Sequence, residues 1–276
     1  MYKEILYTVD DPVAVITLNR PEVLNAFTLT MAAEMRHAVY RAERDPSVVG
    51  IVITGAGRAF CAGADMNMLR GITAGDAPTS EPDQGLDLTP PHPVPADLDG
   101  EYTYLLAVTK PVIAAINGPI AGMAVPIALC CDLRFMADDA PLLTAFSQRG
   151  LIGEWGVAWL LPRLVGTARA LDLLLSSRRV SGREAEAMGV VNRALPKEEV
   201  LPHSIAYVRA LAETVSPASM AVIKSQVYQD LVGPLGPAEK DARRRMVNSF
   251  SGEDFKEGVA SFLEKRPPRF ARLGDS

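Results

Sequence analysis

Short apolar segments that alternate with helical ones constrain the fold of this chain more than any other feature. Residues 13–19 (VAVITLN), 48–54 (VVGIVIT), 112–116 (VIAAI) and 133–137 (LRFMA) predict strands, and the first three end at glycine or proline turns. Residues 29–44 carry apolar side chains at helical spacing and predict an amphipathic helix. Strands that are apolar on both faces and separated by helices are typical of buried parallel or mixed sheets. The sequence therefore predicts an α/β fold.

The last third of the chain has a different character. Helical signals dominate from about residue 197, and they predict helices over 198–215, 216–231, 237–250 and 253–263. We therefore predict a core over residues 1–196 and a helical region over residues 197–276. Within the core, residues 71–100 contain six prolines among glycine, aspartate, serine and threonine, and this composition predicts a long mobile loop.

Composition excludes several classes of protein. A net charge of −5 argues against a nucleic-acid surface, and residues 29–45 mix basic with acidic side chains, which disfavours RNA binding. The sequence has no run of about 20 apolar residues that would predict a membrane helix, and residues 1–6 show no signal peptide. Three cysteines, two of them adjacent, form neither a disulfide framework nor a metal-binding pattern. We expect a cytoplasmic protein with reduced cysteines and no metal site.

Two glycine-containing turns carry the candidate chemistry. Residues 58–65 (RAFCAGAD) and 116–124 (INGPIAGMA) each follow a predicted strand and lead into a predicted helix. A helix start presents unpaired N–H groups at the positive end of the helix dipole. Two such starts that converge could hold the oxygen of a thioester as it becomes an oxyanion. Either turn alone could equally be a tight strand–helix connection.

Taken together with other segments, these turns resemble the enoyl-CoA hydratase/isomerase, or crotonase, family. The matching segments occur in the family's order along the chain: 19–21 (NRP), 24–27 (LNAF), 60–65 (FCAGAD), 110–118 (KPVIAAING), 131–132 (CD), 161–166 (LPRLVG) and 262–268 (FLEKRPP). The resemblance implies a spiral of ββα units with a helical C-terminal region that forms trimers or dimers of trimers. It also implies an acyl-CoA substrate and no cofactor besides the CoA that this substrate carries.

Carried onto this chain, the resemblance gives the oxyanion donors as the backbone N–H groups of Ala64 and Met123. The family usually has glycine at the second position, so Met123 predicts a pocket of unusual size or a backbone that tolerates a side chain. The resemblance also implies a set of substrate-binding residues: Arg20, Ala26, Ala62, Asp65, Met66, Lys110 and Gly122. Arg20 and Lys110 are candidates for CoA phosphates or ordinary surface charges, Met66 lines the acyl tunnel or packs, and Asp65 has the alternative role of capping the next helix.

The carboxylates decide which reaction the sequence favours. Hydratases of the family use two glutamates, and the corresponding residues here are Pro126 and Phe146, which transfer no protons. Glu154 stands four residues after Gly150, at a spacing where some isomerases of the family and a dehalogenase carry a catalytic carboxylate. Trp155 beside it is expected to raise its pKa by excluding water. The alternative is a glutamate placed there only by the dipole of the next helix.

A single carboxylate favours isomerisation. Hydration needs one group to activate water and another to donate a proton, whereas one base suffices for a 1,3-proton shift. The sequence therefore predicts an enoyl-CoA isomerase with Glu154 as acid and base. Enoyl-CoA hydration, a hydrolase or dehalogenase activity, and a non-catalytic acyl-CoA-binding role remain alternatives.

Overall fold

A computed structural model describes residues 2–75 and 85–274. Its first eleven strands and helices lead from the N-terminus to the middle of the chain: β1 (Ile5–Asp10), β2 (Val13–Leu18), α1 (Leu29–Arg44), β3 (Gly50–Gly55), α2 (Met66–Ala74), α3 (Tyr104–Ala107), β4 (Val112–Ile116), β5 (Ile120–Ala121), α4 (Ala124–Leu129), β6 (Leu133–Ala137) and β7 (Pro141–Leu143). The others follow: α5 (Val157–Val165), α6 (Thr167–Ser176), β8 (Val180–Ser181), α7 (Gly182–Met188), β9 (Arg193–Leu195), α8 (Lys197–Thr214), α9 (Pro217–Asp230), α10 (Leu235–Ser249) and α11 (Glu253–Glu264).

The main sheet has six strands in the order β1-β2-β3-β4-β6-β9. Strand β1 pairs antiparallel with β2, and every other neighbouring pair is parallel. All residues of β3 and β4 are buried, because both faces of these strands are covered. The predicted α/β fold with a buried, mostly parallel sheet is confirmed. The predicted strand over 48–54 begins two residues later than expected, at Gly50.

Short strands and single bridges that follow the main strands along the chain form a second, smaller layer. Strand β7 lies between β5, which is parallel to it, and β8, which is antiparallel. Single parallel bridges extend this layer from Ile120 to Cys61 and from Ala64 to Phe27. Each of the strands β2, β3, β4 and β6 is therefore followed first by a short piece of the second layer and then by a helix. This repeated arrangement is the predicted series of ββα units.

Helices α1 and α8 both pack on the main sheet. Helix α1 has the predicted bounds, and the Thr28 side chain caps it by accepting a hydrogen bond from the Met31 amide at 3.0 Å. Helix α8 buries Val200, Ser204 and Val208, which recur every four residues and so lie on one face. A Cβ atom on Gly50 of β3 would come within 2.8 Å of Val208, so α8 lies directly against the sheet. The first helix of the predicted C-terminal region therefore packs on the main sheet of the core.

The later C-terminal helices are much more exposed. The four helices predicted from residue 197 onward are confirmed, each with both ends within two residues of the expected bounds. Helix α9 is tied to the core by Lys224, whose Nζ donates to Asp132 Oδ2 at 2.7 Å. In α11, Phe262 and Leu263 expose 82% and 73% of their surface. In the part of the chain that the structure describes, no helix has the length and apolar character needed to cross a membrane.

The prediction of a mobile loop over 71–100 is wrong at both of its ends. Helix α2 continues to Ala74, and Gly75 ends it in the left-handed conformation that glycine favours. Residues 96–98 form a turn of 3₁₀ helix. Between these, residues 76–84 lie outside the described residues, whereas His92 is placed against the buried Glu43, with Nε2 and Oε1 3.5 Å apart. The proline content signalled irregular backbone here but not the helical ends.

Candidate active site

The two glycine-containing turns lie side by side. They leave the parallel neighbours β3 and β4, so both begin at the same edge of the main sheet. The amides of Phe60 and Cys61 both donate to the Pro119 carbonyl, at 3.1 and 3.3 Å, and the Ala121 amide donates to the Cys61 carbonyl at 3.0 Å. The two turns are consequently aligned in register, with Cys61 opposite Ile120.

Gly63 lets the two turns approach each other closely, and Gly122 lies beside it. Gly63 has φ +99°, and a Cβ atom there would come within 3.0 Å of the Ala121 carbonyl oxygen. Gly122 has φ +54°, and a Cβ atom there would lie 3.7 Å from the Cα atom of Gly63. A side chain at Gly63 would therefore both strain the backbone and collide with the second turn. Ala64 and Met123, each one residue further along, are brought to equivalent positions.

The N–H group of Ala64 points away from its neighbouring strand. The Phe27 amide donates to the Gly63 carbonyl at 2.8 Å, and the Asp65 amide donates to the Phe27 carbonyl at 2.9 Å. In a parallel bridge of this kind the residue between the two bonded groups directs its own peptide groups to the other side. Among the described residues, no backbone or side-chain acceptor receives the Ala64 amide.

The second amide belongs to Met123, which directly precedes α4 as its N-cap residue. Within the described ranges, no acceptor receives this amide either. Met123 has φ −61°, a conformation open to any residue, so the departure from glycine requires no special backbone. Its side chain is buried in the hydrophobic core. Among the described residues, the amides of Ala64 and Met123 thus lie on neighbouring turns that lead into α2 and α4, and neither has an acceptor.

The residues at the two positions of the family's glutamates are apolar and buried. Pro126 lies in the first turn of α4, where a missing N–H group is tolerated. Phe146 is 3% exposed and immediately precedes the 3₁₀ turn of residues 147–149. Neither side chain holds a proton that could be transferred, so an acid or base must come from elsewhere.

Glu154 lies in the short segment between that 3₁₀ turn and α5, and its side chain is half-buried. Burial raises the pKa of the Glu154 carboxyl above its ordinary value, while a side-chain hydrogen bond from Trp155 acts in the opposite direction. Helix α5 starts after Gly156 and has no side-chain cap, so Glu154 does not cap it. Trp155 has φ +53°, a left-handed conformation that is uncommon for a large side chain.

Three aromatic rings connect Glu154 with the first turn. The Trp155 ring packs edge-on against Tyr102 with centroids 5.3 Å apart, and Tyr102 packs in the same way against Phe27 at 5.8 Å. The backbone of Phe27 in turn flanks Ala64. Glu154 is therefore separated from the strand beside Ala64 by two ring contacts. Helix α5, which follows Glu154, also packs on α4, which follows Met123.

The other predicted substrate-binding residues fall into different classes. Ala62 and Met66 are exposed next to Ala64, with Met66 58% exposed, so a ligand could reach both. Asp65 is buried and caps α2 by accepting a hydrogen bond from the Asn67 amide at 2.8 Å, which confirms the capping alternative. The Arg20 side chain lies beside Asp65: its Nη1 donates to Asp65 Oδ2 at 2.9 Å and to the Ala26 carbonyl at 2.6 Å.

The prediction that Lys110 contacts CoA is wrong. Its side chain is 1% exposed, and Nζ donates to the carbonyl oxygens of Ala42 and Asp45 at 2.9 and 2.6 Å. An ammonium group that is buried and shared between two carbonyls is held inside the fold and cannot meet a phosphate at the surface. Lys110 instead joins the end of α1 to the start of β4.

Comparison with known proteins matches nearly the whole chain to the family that its sequence resembles. The sequence pattern of the family described as "Enoyl-CoA hydratase/isomerase" matches residues 8–272. The chain belongs to the enoyl-CoA hydratase/isomerase family. It is 37% identical over 274 residues to a "Probable enoyl-CoA hydratase" of Rhodobacter capsulatus, with 98% of each chain covered. It is 34% identical over 278 residues to the "1,2-epoxyphenylacetyl-CoA isomerase" of Escherichia coli, covering 98% of this chain and 99% of that protein.

Solved structures of this family have the same fold. A probable enoyl-CoA hydratase/isomerase from Mycobacterium abscessus superposes with a TM-score of 0.84 at 30% identity, covering 98% of this chain and 99% of its own. This enoyl-CoA hydratase/isomerase family member therefore has the crotonase fold and is an acyl-CoA enzyme by descent. Names of hydratases predominate among the relatives compared and one names an isomerase, so these names do not favour the isomerase prediction.

For this family member, sequence reasoning missed the aromatic contacts and the position of two arginines. The contacts of Tyr102 have no local signal in the sequence, because its ring partners Phe27 and Trp155 are distant along the chain. Arg149 donates to the Ala145 carbonyl at 3.3 Å, and the Arg163 guanidinium stacks on the Trp159 ring at 3.7 Å. The sequence offers both arginines as partners of Glu154 or of CoA phosphates, but among the described residues neither is bonded to Glu154. Among the described residues, no group of three or more potential ligands could hold a metal ion.

Proposed function

We propose that this protein binds an enoyl-CoA thioester with its carbonyl oxygen between the N–H groups of Ala64 and Met123, and that Glu154 shifts the double bond of the acyl chain. The observation that carries this proposal is the alignment of two unpaired amides, together with one half-buried carboxyl of raised pKa in the segment that leads into α5, the helix packed on α4. Pro126 and Phe146 supply no second carboxyl.

The proposed reaction conserves all atoms of the acyl group. Glu154 removes a proton from C2 of a 3-enoyl-CoA, or from C4 of a 2-enoyl-CoA in the reverse direction, and the electron pair moves onto the thioester oxygen as a dienolate. The two amides stabilise this oxygen, and one such donor is typically worth about 3 kcal/mol of transition-state stabilisation. Glu154 then returns the proton to the other carbon, so the double bond has moved and no water has been added.

Hydration of a 2-enoyl-CoA is the second candidate, and the names of the hydratase relatives favour it. It would require that Glu154 both activate water and return a proton, or that water alone perform one of these steps. We prefer isomerisation because a 1,3-proton shift needs one base. A non-catalytic acyl-CoA-binding role is the third candidate, because both of the usual glutamate positions are apolar.

A panel of 2-enoyl-, 3-enoyl- and dienoyl-CoA thioesters of several chain lengths separates these candidates. Hydration is followed as the loss of the conjugated absorbance of 2-enoyl-CoA, and isomerisation as its appearance from 3-enoyl-CoA. We expect turnover of a 3-enoyl- or dienoyl-CoA and slow hydration of 2-enoyl-CoA. Rapid hydration by the wild-type protein would overturn the isomerase assignment, and absence of any turnover with retained binding would favour the non-catalytic role.

The exposed apolar side chains of the C-terminal helices support an oligomer. We propose a trimer or a dimer of trimers, supported by the apolar side chains that α10 and α11 expose, with Leu235 at 84% and Phe262 at 82%. Sedimentation equilibrium would test this, and a monomer would contradict it.

The proposed reaction needs no cofactor beyond the CoA of its substrate. The three free, buried cysteines support a reducing compartment such as the cytoplasm.

A further inference from the structure

Arg20 connects the two backbone segments that enclose Ala64. Its Nη1 atom donates to the carbonyl oxygen of Ala26 at 2.6 Å and to Oδ2 of Asp65 at 2.9 Å. Ala26 immediately precedes Phe27, and Asp65 immediately follows Ala64. One nitrogen atom thus joins the two backbone segments, around Phe27 and around Ala64, whose mutual hydrogen bonds set the direction of the Ala64 amide.

One more ion pair fixes the guanidinium itself. Its Nε lies 3.5 Å from Glu4 Oε1, and Glu4 is held in turn because its side chain accepts a hydrogen bond from the Thr28 hydroxyl. The Arg20 side chain is only 20% exposed. Charge-assisted bonds of a partly buried guanidinium are short and directional, so this group is held in one orientation.

The backbone of Arg20 is fixed by a buried asparagine. Asn25 is completely buried, and its Oδ1 accepts a hydrogen bond from the Arg20 amide at 2.9 Å. Its Nδ2 donates to the carbonyl oxygens of Ala59 and Phe60 at 2.9 and 3.2 Å. These carbonyls belong to the turn that leads into Ala64. Residues 20–25 therefore hydrogen-bond to the turn of residues 58–65 on both sides of Ala64. Asn25 binds it before Ala64, and the Arg20 side chain binds it after Ala64.

We infer that Arg20 is a positioning residue that aims the Ala64 amide at the thioester oxygen, and that it is not a ligand of the CoA phosphates. The inference rests on the proposed oxyanion role of Ala64. Asp65 supports it from the other side, because hydrogen bonds from the Asn67 amide and Arg20 outweigh burial and hold the pKa of its carboxyl below its ordinary value. Asp65 thus remains an ionised partner for Arg20 at neutral pH.

The kinetic test compares Arg20→Gln and Arg20→Lys with Arg178→Gln. Arg178 is a matched control because it also bonds two carboxylates, Asp172 and Glu184 at 2.8 and 2.7 Å, on helices α6 and α7. We expect Arg20→Gln to lower kcat roughly 10-fold with KM changed less than about 3-fold, because a misdirected donor weakens the transition state more than the ground state. Arg20→Lys keeps the charge and should recover part of kcat, and Arg178→Gln should behave as wild type.

The substrate series distinguishes positioning from phosphate binding. Each variant is assayed with an acyl-CoA and with the same acyl group on pantetheine, which lacks the phosphates. A positioning role predicts the same fractional loss of kcat with both thioesters. A rise in KM confined to the CoA thioester, with kcat unchanged, would overturn the inference.

A spectroscopic test separates this inference from the proposed function. A conjugated 2-enoyl-CoA is bound in the Glu154→Gln background, where the proposed turnover is blocked, and the infrared stretch of its thioester carbonyl is recorded. Two donors on the oxygen should lower this frequency, and adding Arg20→Gln should reverse part of the shift. A full shift that persists without Arg20 would contradict the positioning role alone, whereas no shift with Arg20 present would contradict the proposed oxyanion site.

Discussion

Gly63 and Gly122 lie next to each other, and a Cβ atom built on Gly122 would be in van der Waals contact with the Cα atom of Gly63, at 3.7 Å. This contact aligns the two turns that carry Ala64 and Met123. The first prediction concerns Gly63, where φ is +99° and a Cβ atom would lie 3.0 Å from the Ala121 carbonyl oxygen. Gly63→Ala should destabilise the fold by about 1–3 kcal/mol and lower kcat at least about 10-fold, because the strained turn displaces the Ala64 amide.

The matched control for Gly63→Ala is Gly75→Ala. Gly75 has φ +82°, but a Cβ atom there would meet nothing within 4 Å among the described residues. This variant should show a similar loss of stability in urea unfolding, with kcat unchanged. Equal losses of kcat in both variants would mean that general destabilisation, rather than the meeting of the two turns, lowers activity.

Met123 should act through its backbone. Met123→Ala keeps the N–H group and a compatible φ of −61° but removes a buried side chain from the core. We expect a loss of about 2–4 kcal/mol in the free energy of unfolding, because truncation of a buried methionine leaves a cavity. The value of kcat for the best substrate should stay within about 5-fold of wild type, since the donor is retained. A much larger loss of kcat in a folded variant would assign the thioether itself a role.

The pH profile should report the pKa of Glu154. Burial raises this pKa above its ordinary value, and a general base is active only when it is deprotonated. The value of kcat/KM should therefore rise with pH through an apparent pKa higher than that of a solvent-exposed glutamate, and level off above it. This rising limb should be absent from the residual activity of Glu154→Gln. A profile that is flat from acid to neutral pH would contradict the assignment.

Lys110 should matter for stability and not for CoA. Lys110→Met leaves the carbonyl oxygens of Ala42 and Asp45 without their shared donor. Leaving buried acceptors unpaired costs about 1–3 kcal/mol, so the urea midpoint should fall by a corresponding amount. The KM for an acyl-CoA should not change, because the side chain is 1% exposed. A rise in KM without loss of stability would restore the phosphate-binding role.

The long strands and helices could be predicted from the sequence because their signals are local. Strand β4 is a pure apolar run, and α1 combines a Thr28 cap with helical spacing. Strands β5 and β8 contain two residues each, too few to show any periodicity, so the second layer was visible only through the family resemblance. The packing of α8 on the sheet could not be predicted, because an apolar helix face shows that the helix is partly buried but not which element covers it.

The candidate site residues were predicted from the two glycine-containing turns together with the family resemblance. The turns can be seen in the sequence, but the resemblance is what assigned the donor amides to Ala64 and Met123. Arg20 and Asp65 are 45 residues apart, and no local signal indicates that they form an ion pair. Lys110 resembled a surface cation because it precedes a strand, and its burial depends on the end of α1, which only the tertiary fold brings near. Glu154 was found by its spacing from Gly150.

The central claim is that Glu154 moves the proton while the two amides hold the oxygen. The most direct test follows a 3-enoyl-CoA by NMR in D₂O with the wild-type protein and with Glu154→Gln, which keeps the size of the side chain. The wild type should produce the 2-enoyl-CoA, and the variant should be slower by about 10²–10⁴-fold, the usual worth of a general acid–base. Equal rates in the two proteins, or hydration of 2-enoyl-CoA that outpaces isomerisation, would contradict the account.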